Sequence, residues 1–195
     1  MNLAIFDFDG TLTRKDSLWE FLRFYSGYPK YILKLLVLLP VLIGYAMGII
    51  PNWRAKQKVL MSFFSGVNKI AFQERCDAFA KEVLPKLIRP AASNRIMDHR
   101  KQGDRVVIIS ASPENWIRPW ADHHGFEVIA TRLESVEEKL TGRFQGRNCY
   151  GPEKVTRLKQ HLNLEDYTTI YAYGDSKGDF ELLSISDVPN YKPFR

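Results

Sequence analysis

Three apolar runs in this 195-residue chain each end in polar side chains, and this arrangement restricts the folds open to it. The runs read LAIFDFDG, DRVVIISAS and TTIYAYGDS, and stretches of helical pattern separate them. Short β-branched runs that alternate with helices are typical of buried strands in a parallel sheet with helices on both faces. We therefore predict an α/β fold. In such a sheet, ligands bind beyond the carboxyl ends of the strands, where the three polar clusters stand.

The alternation of strands and helices is interrupted once, directly after the first apolar run. Residues 15–27 have helical periodicity behind a candidate cap at Asp16 or Ser17, and the helical pattern returns from about 53 to 87. We interpret residues 14–85 as a helical cap inserted into a core formed by residues 1–13 and 86–195. Within the core, we predict helices over 91–102, 113–124 and 152–162, a strand in FEVIAT, a small β excursion in LESVEEKLTGRFQGRN and a short helix in DFELLSIS.

Two carboxylates follow the first apolar run. Asp7 and Asp9 lie two residues apart, so both side chains point to the same side of an extended backbone. Carboxylates this close repel each other and lose hydration when partly buried, a cost that a bound cation would offset. Gly10 then allows a sharp exit of the chain. Taken alone, the motif fits an Asp-rich turn equally well. A calcium loop fits less well, because Leu12 stands where such a loop needs glycine.

Polar groups also follow the other two apolar runs. Ser110 ends VVIIS, and Asp175 follows the last run, with Asp179 four residues further on. Alone, Ser110 is more typical of a helix cap and Lys154 of a solvated surface. Together, three or four converging carboxylates form an oxygen site suited to Mg²⁺, while a hydroxyl, backbone N–H groups and a lysine suit an anion. The combination predicts phosphoryl-transfer chemistry.

The order DFDGT, SAS, GPEKV and GDSKGD resembles the four-motif signature of the haloacid dehalogenase superfamily. The resemblance covers essentially the whole chain, and the insert together with GFEVIAT and TGRFQGRNCYGPEKV is similar to the phosphoserine-phosphatase-like branch, subfamily IB. It implies a Rossmann-like parallel sheet core with an inserted helical cap, and a Mg²⁺-dependent phosphomonoester hydrolase. A phosphotransferase that uses the same intermediate and a non-catalytic phospholigand-binding relative are the alternatives.

The resemblance also implies catalytic and metal-binding roles. Asp7 is the implied nucleophile, which forms an aspartyl-phosphate, and Asp9 is the acid that protonates the leaving alcohol and the base that activates water. The implied Mg²⁺ ligands are Asp7, the Phe8 carbonyl oxygen and Asp175. Asp179 is expected to support the water shell of the ion, and the Asp9 side chain to take part at most in that same shell.

A second set of matching residues is implied to hold the substrate. Ser110 and the Ala111 N–H group would hold the phosphoryl oxygens, and Lys154 would balance the charge around the nucleophile and the phosphate. Asp16 stands where phosphoserine phosphatases carry a glutamate that meets the substrate amine. Its shorter side chain, and SAS in place of the usual Ser-Gly-Gly, weaken the expectation that phosphoserine is the substrate.

Residues 35–50 are the most apolar stretch, broken only by Pro40, Gly44 and Gly48. As a helix they would extend about 24 Å, which is short of the roughly 30 Å of a bilayer core. We rank a buried helix of the cap slightly ahead of a helix docked on a membrane surface, and a spanning or re-entrant helix last. The glycine spacing also fits a homodimer contact. Basic residues flank the stretch as expected near anionic headgroups: Lys30, Lys34, Arg54, Lys56 and Lys58.

The composition is consistent with an acidic partner, since the formal net charge is +6. We expect a phosphorylated small-molecule or lipid substrate and no nucleic acid. Phosphatidylglycerophosphate phosphatases, a related branch of the superfamily, have a similar apolar insert, so lipid and soluble phosphates rank nearly equal. Cys76 and Cys149 form no CxxC pair, and no signal peptide is visible, so we expect a cytoplasmic protein. Peripheral membrane contact through residues 30–58 is the alternative.

Overall fold

The centre of the molecule is a five-stranded parallel sheet. A computed structural model describes all of residues 1–195. The strands are β1 (Leu3–Asp7), β2 (Arg105–Pro113), β3 (Glu127–Thr131), β4 (Leu133–Val136), β5 (Lys139–Phe144), β6 (Ile170–Gly174) and β7 (Val188–Tyr191). The sheet has β1 in the middle, β2 and then β3 on one side, and β6 and then β7 on the other, while β4 and β5 form a separate antiparallel hairpin. The α/β prediction is confirmed.

Nine helices surround the sheet and form the insert. They are α1 (Ser17–Ser26), α2 (Tyr28–Ala46), α3 (Asn52–Phe64), α4 (Lys69–Glu82), α5 (Leu84–Leu87), α6 (Pro90–Lys101), α7 (Glu114–His124), α8 (Pro152–His161) and α9 (Phe180–Ser184). The first six come between β1 and β2, and α1 to α5 precede the return of the chain to the core at Ile88, so the insert interrupts the alternation where the sequence predicts it.

The alternation of side chains along β1 gives the sheet two apolar faces. Leu3 and Ile5 belong to a cluster of 12 buried hydrophobic residues on one face, and Ala4 and Phe6 to a cluster of 33 on the other. Every residue of β1 is buried, as expected for the central strand of a parallel sheet. Its register pairs Asp7 with Ile109 of β2, so the residues that follow both strands emerge at one edge of the sheet.

The insert leaves and re-enters the core at one point. An isolated antiparallel bridge joins Thr13 to Ile88, and the Arg14 and Arg89 backbone N–H groups donate to Leu87 and Leu12 carbonyls, each at 2.8 Å. These bonds close the base of the insert near the boundaries predicted from the sequence. The 33-residue cluster continues from the sheet into helices α1, α3 and α4, so core and insert share apolar contacts. The division into two domains stays a prediction.

The apolar helix α2 is longer than the predicted run, and it is largely exposed. Of its 19 residues only Leu38 and Gly44 are buried. This exposure contradicts the buried cap helix, which we rank first from the sequence. Apolar composition indicates that a helix contacts apolar groups, but it does not show whether the rest of the protein or another molecule supplies those groups. Tyr28–Ala46 is the one helix in the structure that is long and apolar enough to cross a membrane.

Two further elements differ from the predictions. The helical pattern from 53 to 87 is three helices, because Gly66 turns the chain with φ +79° and Asn68 then caps α4 by accepting from Ile70 N and Ala71 N. Strand β7 was not predicted, since its sequence VPNY is short and contains proline. A short edge strand with proline is a common end to a sheet.

Candidate active site

A cavity of about 470 Å³ lies at the carboxyl edge of the sheet, between the core and the insert. Asp7 is the last residue of β1, Asp175 directly follows β6, and Ser110 lies near the end of β2. All three line the cavity. The structure therefore brings together the polar residues that end the three apolar runs of the sequence.

A buried lysine bridges two of the carboxylates. Lys154 Nζ is 2.5 Å from Asp7 Oδ1 and 2.6 Å from Asp179 Oδ1, and only 1% of the Lys154 residue is exposed. Lys154 reaches the cavity from the first turn of α8, which has proline at its start and buries Lys154 and Leu158 on one side. The second oxygen of Asp7 accepts no hydrogen bond from the protein, so it is free to meet a ligand.

Burial and opposite charge compete in this cluster. Burial raises the pKa of Asp7 to about 7, although the Lys154 ammonium opposes the shift. Burial alone would lower the pKa of Lys154, but Asp7 and Asp179 raise it above its usual range. Burial would likewise raise the pKa of Asp179, but Lys154 and hydrogen bonds from Ser176 lower it. Lys154 therefore stays charged and holds Asp179 ionised beside the nucleophile candidate.

Asp179 is fully occupied by hydrogen bonds. Its Oδ2 accepts from the backbone N–H groups of Asp175 and Ser176 at 3.1 and 3.0 Å and from Ser176 Oγ at 2.9 Å. Since Lys154 occupies Oδ1, the carboxylate mainly orders the loop after β6. Asp175 is freer: its partner is the Arg195 guanidinium. Burial raises the pKa of Asp175, Arg195 opposes that shift, and Asp179 adds to it.

Asp9 is held by the insert and by β2. Its Oδ1 accepts from the Ser17 backbone N–H at 2.7 Å, and its Oδ2 accepts from Ser112 Oγ at 2.6 Å. Ser17 is the first residue of α1, so the start of this helix fixes one side of the carboxylate. Asp9 has extended backbone dihedrals and lines the same cavity as Asp7. The two carboxylates thus face one cavity with different partners.

Gly10 lies against Asp175. Its φ is +84°, and a Cβ atom placed on it would be 2.5 Å from Asp175 Oδ2. A side chain at position 10 would therefore displace this carboxylate as well as strain the backbone. The glycine in DFDGT is needed to let the first and last motifs approach each other.

The carboxylates have the spacing of a metal centre. Asp7, Asp175 and Asp179 each offer an oxygen, and these oxygens lie within 4.8 Å of one another. Carboxylate oxygens are the ligands that Mg²⁺ prefers, so the donor set fits the predicted ion. The Phe8 carbonyl accepts from Thr13 N at 3.0 Å, while the Thr13 hydroxyl donates to the Lys15 carbonyl at 2.6 Å. The role of the Phe8 carbonyl as a metal ligand stays a prediction.

The residues predicted to bind phosphate line the cavity beside the carboxylates. Ser110 is buried, and its Oγ accepts from Ser112 N at 3.0 Å. It does not cap a helix, because β2 continues to Pro113 and α7 begins at Glu114. Ala111 also lines the cavity, and its carbonyl accepts from Lys56 Nζ at 2.9 Å.

Asp16 caps α1 by accepting from Leu18 N at 2.9 Å, which confirms one of the two candidate caps. It also lines the cavity, and burial together with the nearby Asp9 charge raises its pKa to about 6. The role of Asp16 in substrate specificity stays a prediction.

Two residues of the site, Lys56 and Arg195, were missed at the level of sequence, and Ser112 was placed with Ser110 in a polar cluster but was given no role. Lys56 reaches into the cavity from α3, whereas we assigned it to the basic flank of the apolar stretch. Burial lowers the pKa of Lys56, and Asp16 opposes the shift. Ser112 binds Asp9, and Arg195 binds Asp175. The spacing SxS after a buried strand is the only signal that was available for any of them.

Fold and site together define an α/β protein with clustered carboxylates and one buried lysine in a cavity at the carboxyl edge of its sheet. The family model for haloacid dehalogenase-like hydrolases matches residues 4–184. The chain therefore belongs to the haloacid dehalogenase-like hydrolase family, and the resemblance found in the four motifs is confirmed.

Relatives of known name cover nearly the whole chain. The protein CicA of Caulobacter vibrioides is 36% identical over 195 residues, covering 99% of this chain and 86% of its own. A histidinol-phosphatase of Neisseria meningitidis is 28% identical, covering 96% of this chain and 88% of its own. Among solved structures, a phosphoserine phosphohydrolase-like protein of Francisella tularensis superposes with a TM-score of 0.68 at 21% identity, covering 98% of this chain and 86% of that one. The enzyme class is that of a hydrolase with phosphatase relatives.

Proposed function

We propose that the protein is a Mg²⁺-dependent phosphomonoester hydrolase that acts through an aspartyl-phosphate on Asp7. The observation that carries the proposal is the state of the Asp7 carboxylate. One oxygen is held by Lys154 Nζ at 2.5 Å, while the other accepts no hydrogen bond and faces the cavity that Asp9 also lines. A fixed carboxylate with one free oxygen is suited to attack on a phosphorus atom.

The metal would be held by Asp7 and Asp175, with Asp179 acting through the loop it orders. Mg²⁺ when bound supplies positive charge that neutralises the phosphoryl oxygens and the developing negative charge on them. Lys154 contributes a second positive charge, 2.5 Å from Asp7 Oδ1. Ser110 and Ala111 lie at the end of β2, where a hydroxyl and a backbone N–H group would bind the remaining phosphoryl oxygens.

The reaction divides into two steps. In the first, an Asp7 oxygen forms a bond to phosphorus, the bond from phosphorus to the ester oxygen breaks, and Asp9 gives its proton to the departing alkoxide. In the second, Asp9 takes a proton from water, the water oxygen bonds to phosphorus, and the bond from phosphorus to Asp7 breaks, releasing inorganic phosphate. Hydrogen bonds from Ser17 N and Ser112 Oγ orient Asp9 for both proton transfers. An alcohol in place of water would make the same protein a phosphotransferase.

The cavity supports a small phosphomonoester as substrate, and one observation supports an amphiphilic phosphate as the second candidate. A phosphatase of small metabolites is named among the relatives, the histidinol-phosphatase. The cavity, however, opens beside the exposed helix α2, and Leu42 and Tyr45 of that helix line it. Apolar side chains at the mouth suit a phosphate on an apolar group. Both cysteines are free and buried, consistent with a proposed cytoplasmic setting.

The direct test measures hydrolysis of p-nitrophenyl phosphate with Mg²⁺, with EDTA, and in three variants. We expect turnover with Mg²⁺, its loss with EDTA, and losses of at least about 100-fold in Asp7→Asn and Asp9→Asn. Asp166→Asn is the matched control, because Asp166 is exposed and far from the cavity. Acid-stable trapping of phosphate on the wild type and not on Asp7→Asn identifies the intermediate. Full activity of Asp7→Asn would contradict the proposal.

A further inference from the structure

The exposed large hydrophobic side chains of this protein are concentrated in one segment. Of 19 such side chains in the whole chain, 11 lie between residues 28 and 53. We name the apolar side chains of α2 that point away from the protein the outer face of α2. They include Leu33, Leu36 and Val37, which are 64%, 62% and 72% exposed. An apolar patch of this extent on a soluble surface marks a site that contacts something apolar.

The same segment has an unusual charge. Residues 21–73 contain no Asp or Glu, yet they contain seven basic residues: Arg23, Lys30, Lys34, Arg54, Lys56, Lys58 and Lys69. Because the net charge of the whole chain is +6, the rest of the molecule is close to neutral. Lys30, Arg54 and Lys58 are exposed at the two ends of the patch. The charged residues that this segment itself contributes beside the apolar face are therefore all basic.

We propose that the outer face of α2 docks on an anionic lipid bilayer, with the helix lying in the interface. Apolar side chains would enter the boundary between headgroups and acyl chains, and the lysines and arginines at its ends would contact anionic headgroups. Charge favours lipid over a second copy of this chain, because two such faces would bring the exposed Lys30, Arg54 and Lys58 of both copies together. The inference does not depend on the proposed reaction.

The inner side of α2 keeps the helix from crossing the bilayer. Leu38 and Gly44 are buried, and Leu38 belongs to the cluster of 33 buried hydrophobic residues that includes the sheet. Lys34 Nζ donates to the Ser62 carbonyl of α3 and lies 4.8 Å from the centre of the Phe63 ring. These contacts hold one side of α2 on the protein, so only the outer face is available. A docked helix lies along the surface.

Docking would also place the catalytic cavity at the bilayer surface. Leu42 and Tyr45 of α2 line the cavity together with Lys56 of α3, while Tyr45 is 45% exposed beside the outer face. A phosphate group in the headgroup layer would then reach the cavity without leaving the lipid. This consequence rests on the proposed function, whereas the docking itself does not.

The test is flotation of the full-length protein with vesicles of phosphatidylcholine alone or with phosphatidylglycerol. We expect the protein to float with the anionic vesicles, to float poorly with phosphatidylcholine alone, and to be released by high salt. Leu36→Gln/Val37→Gln should bind about tenfold more weakly, because two exposed apolar side chains are lost from the face. Ile70→Gln/Val136→Gln is the matched control, since both residues are exposed elsewhere.

The outcomes separate lipid from other occupants and from catalysis. Asp7→Asn should float like the wild type, so a failed hydrolysis assay leaves the docking result interpretable. Wild-type protein that stays unbound with anionic vesicles overturns the inference. So does equal loss of binding in the two double variants. A concentration-dependent dimer in size-exclusion chromatography that Leu36→Gln/Val37→Gln abolishes, without vesicle binding, would assign the face to a second copy.

Discussion

Lys154 is the residue on which the charge balance of the cavity depends. It is the only cation in contact with both Asp7 and Asp179, and all three are buried. Removing one partner of a buried ion pair leaves an uncompensated charge, which costs more than the pair itself contributes. Loss of Lys154 should therefore lower both the stability of the protein and the proposed phosphatase activity.

We expect Lys154→Met to lower the free energy of unfolding by about 3–5 kcal/mol and to reduce phosphatase activity at least about 100-fold. Lys159→Met is the matched control, because Lys159 lies on the same helix and is exposed. Urea unfolding and p-nitrophenyl phosphate hydrolysis measure the two effects. If Lys154→Met were as stable as Lys159→Met, the buried ion pairs would not have the role assigned to them.

A comparison of alanine substitutions at Gly10 and Gly146 separates the cost of backbone strain at a positive φ from the cost of a steric clash between the new side chain and a neighbour. Their φ angles are +84° and +82°, but a Cβ atom would meet Asp175 only at Gly10 and has no neighbour within 4 Å at Gly146. Alanine at either site should cost about 1–2 kcal/mol for the backbone. Only Gly10→Ala should also raise the Mg²⁺ concentration needed for activity. Urea unfolding and a Mg²⁺ titration of hydrolysis check this; equal Mg²⁺ dependence in the two variants would contradict it.

At the residue level, the sequence predicts which residues belong to the site better than it predicts which groups contact them. Asp7, Asp175 and Ser110 could be placed because each ends or directly follows an apolar run, and parallel strands end at one edge. Lys56 could not, since nothing in the spacing of a helix shows which way the insert folds over the core. The Phe8 carbonyl was named from the resemblance alone, because the sequence does not show the turn in which this carbonyl accepts from Thr13 N.

Among the elements, the buried strands were the most predictable and α2 the least. A continuous β-branched run between helices has few alternatives, and β1, β2 and β6 lie where such runs occur. Helix α2 carries a strong apolar signal, but the signal does not show which side the protein covers. Strand β7 is short and has no alternation of apolar and polar residues, and it is a strand only because it pairs with β6.

An ion pair between β2 and β3 should make the sheet sensitive to acid. Arg105 donates to Glu127 through Nε at 2.6 Å and Nη2 at 2.8 Å, and these bonds lower the pKa of Glu127 from its usual 4.5. A carboxylate with a lowered pKa stabilises the fold above its unfolded pKa, and this contribution is lost as pH falls through the folded value. The pair therefore contributes near neutral pH and fades below about pH 4.5.

We expect Glu127→Gln to cost about 0.5–1 kcal/mol at pH 7, since the pair is partly exposed, and progressively less as the pH falls below 4.5. Urea unfolding at several pH values measures the difference from the wild type. Glu165→Gln, at an exposed position, should show no such pH dependence. A constant difference across the pH range for Glu127→Gln would show that the charge is not its cause.

For the whole molecule, the sequence indicates two domains, but the packing joins them. Phe21 of α1 stacks on Trp116 of α7 with ring centres 4.5 Å apart, and Trp116 Nε1 donates to Ser17 Oγ at 3.0 Å. Long-range contacts of this kind have no local signal, since 95 residues of sequence separate the two rings. The sequence shows the insertion point as an interruption in the alternation of strands and helices, but it does not show the shared hydrophobic core.

This shared core predicts that the insert and the sheet unfold together. Because one cluster of 33 buried hydrophobic residues includes both, we expect a single calorimetric transition whose van't Hoff and calorimetric enthalpies agree. Phe21→Ala should lower the free energy of unfolding by about 3–5 kcal/mol and the Tm by about 2–4 °C for each kcal/mol. The transition should shift as a whole, although the residue lies in the insert. Two separated transitions in the variant, with only the earlier one moved, would show that the insert is an independent domain and that the contacts at Trp116 do not couple it to the core.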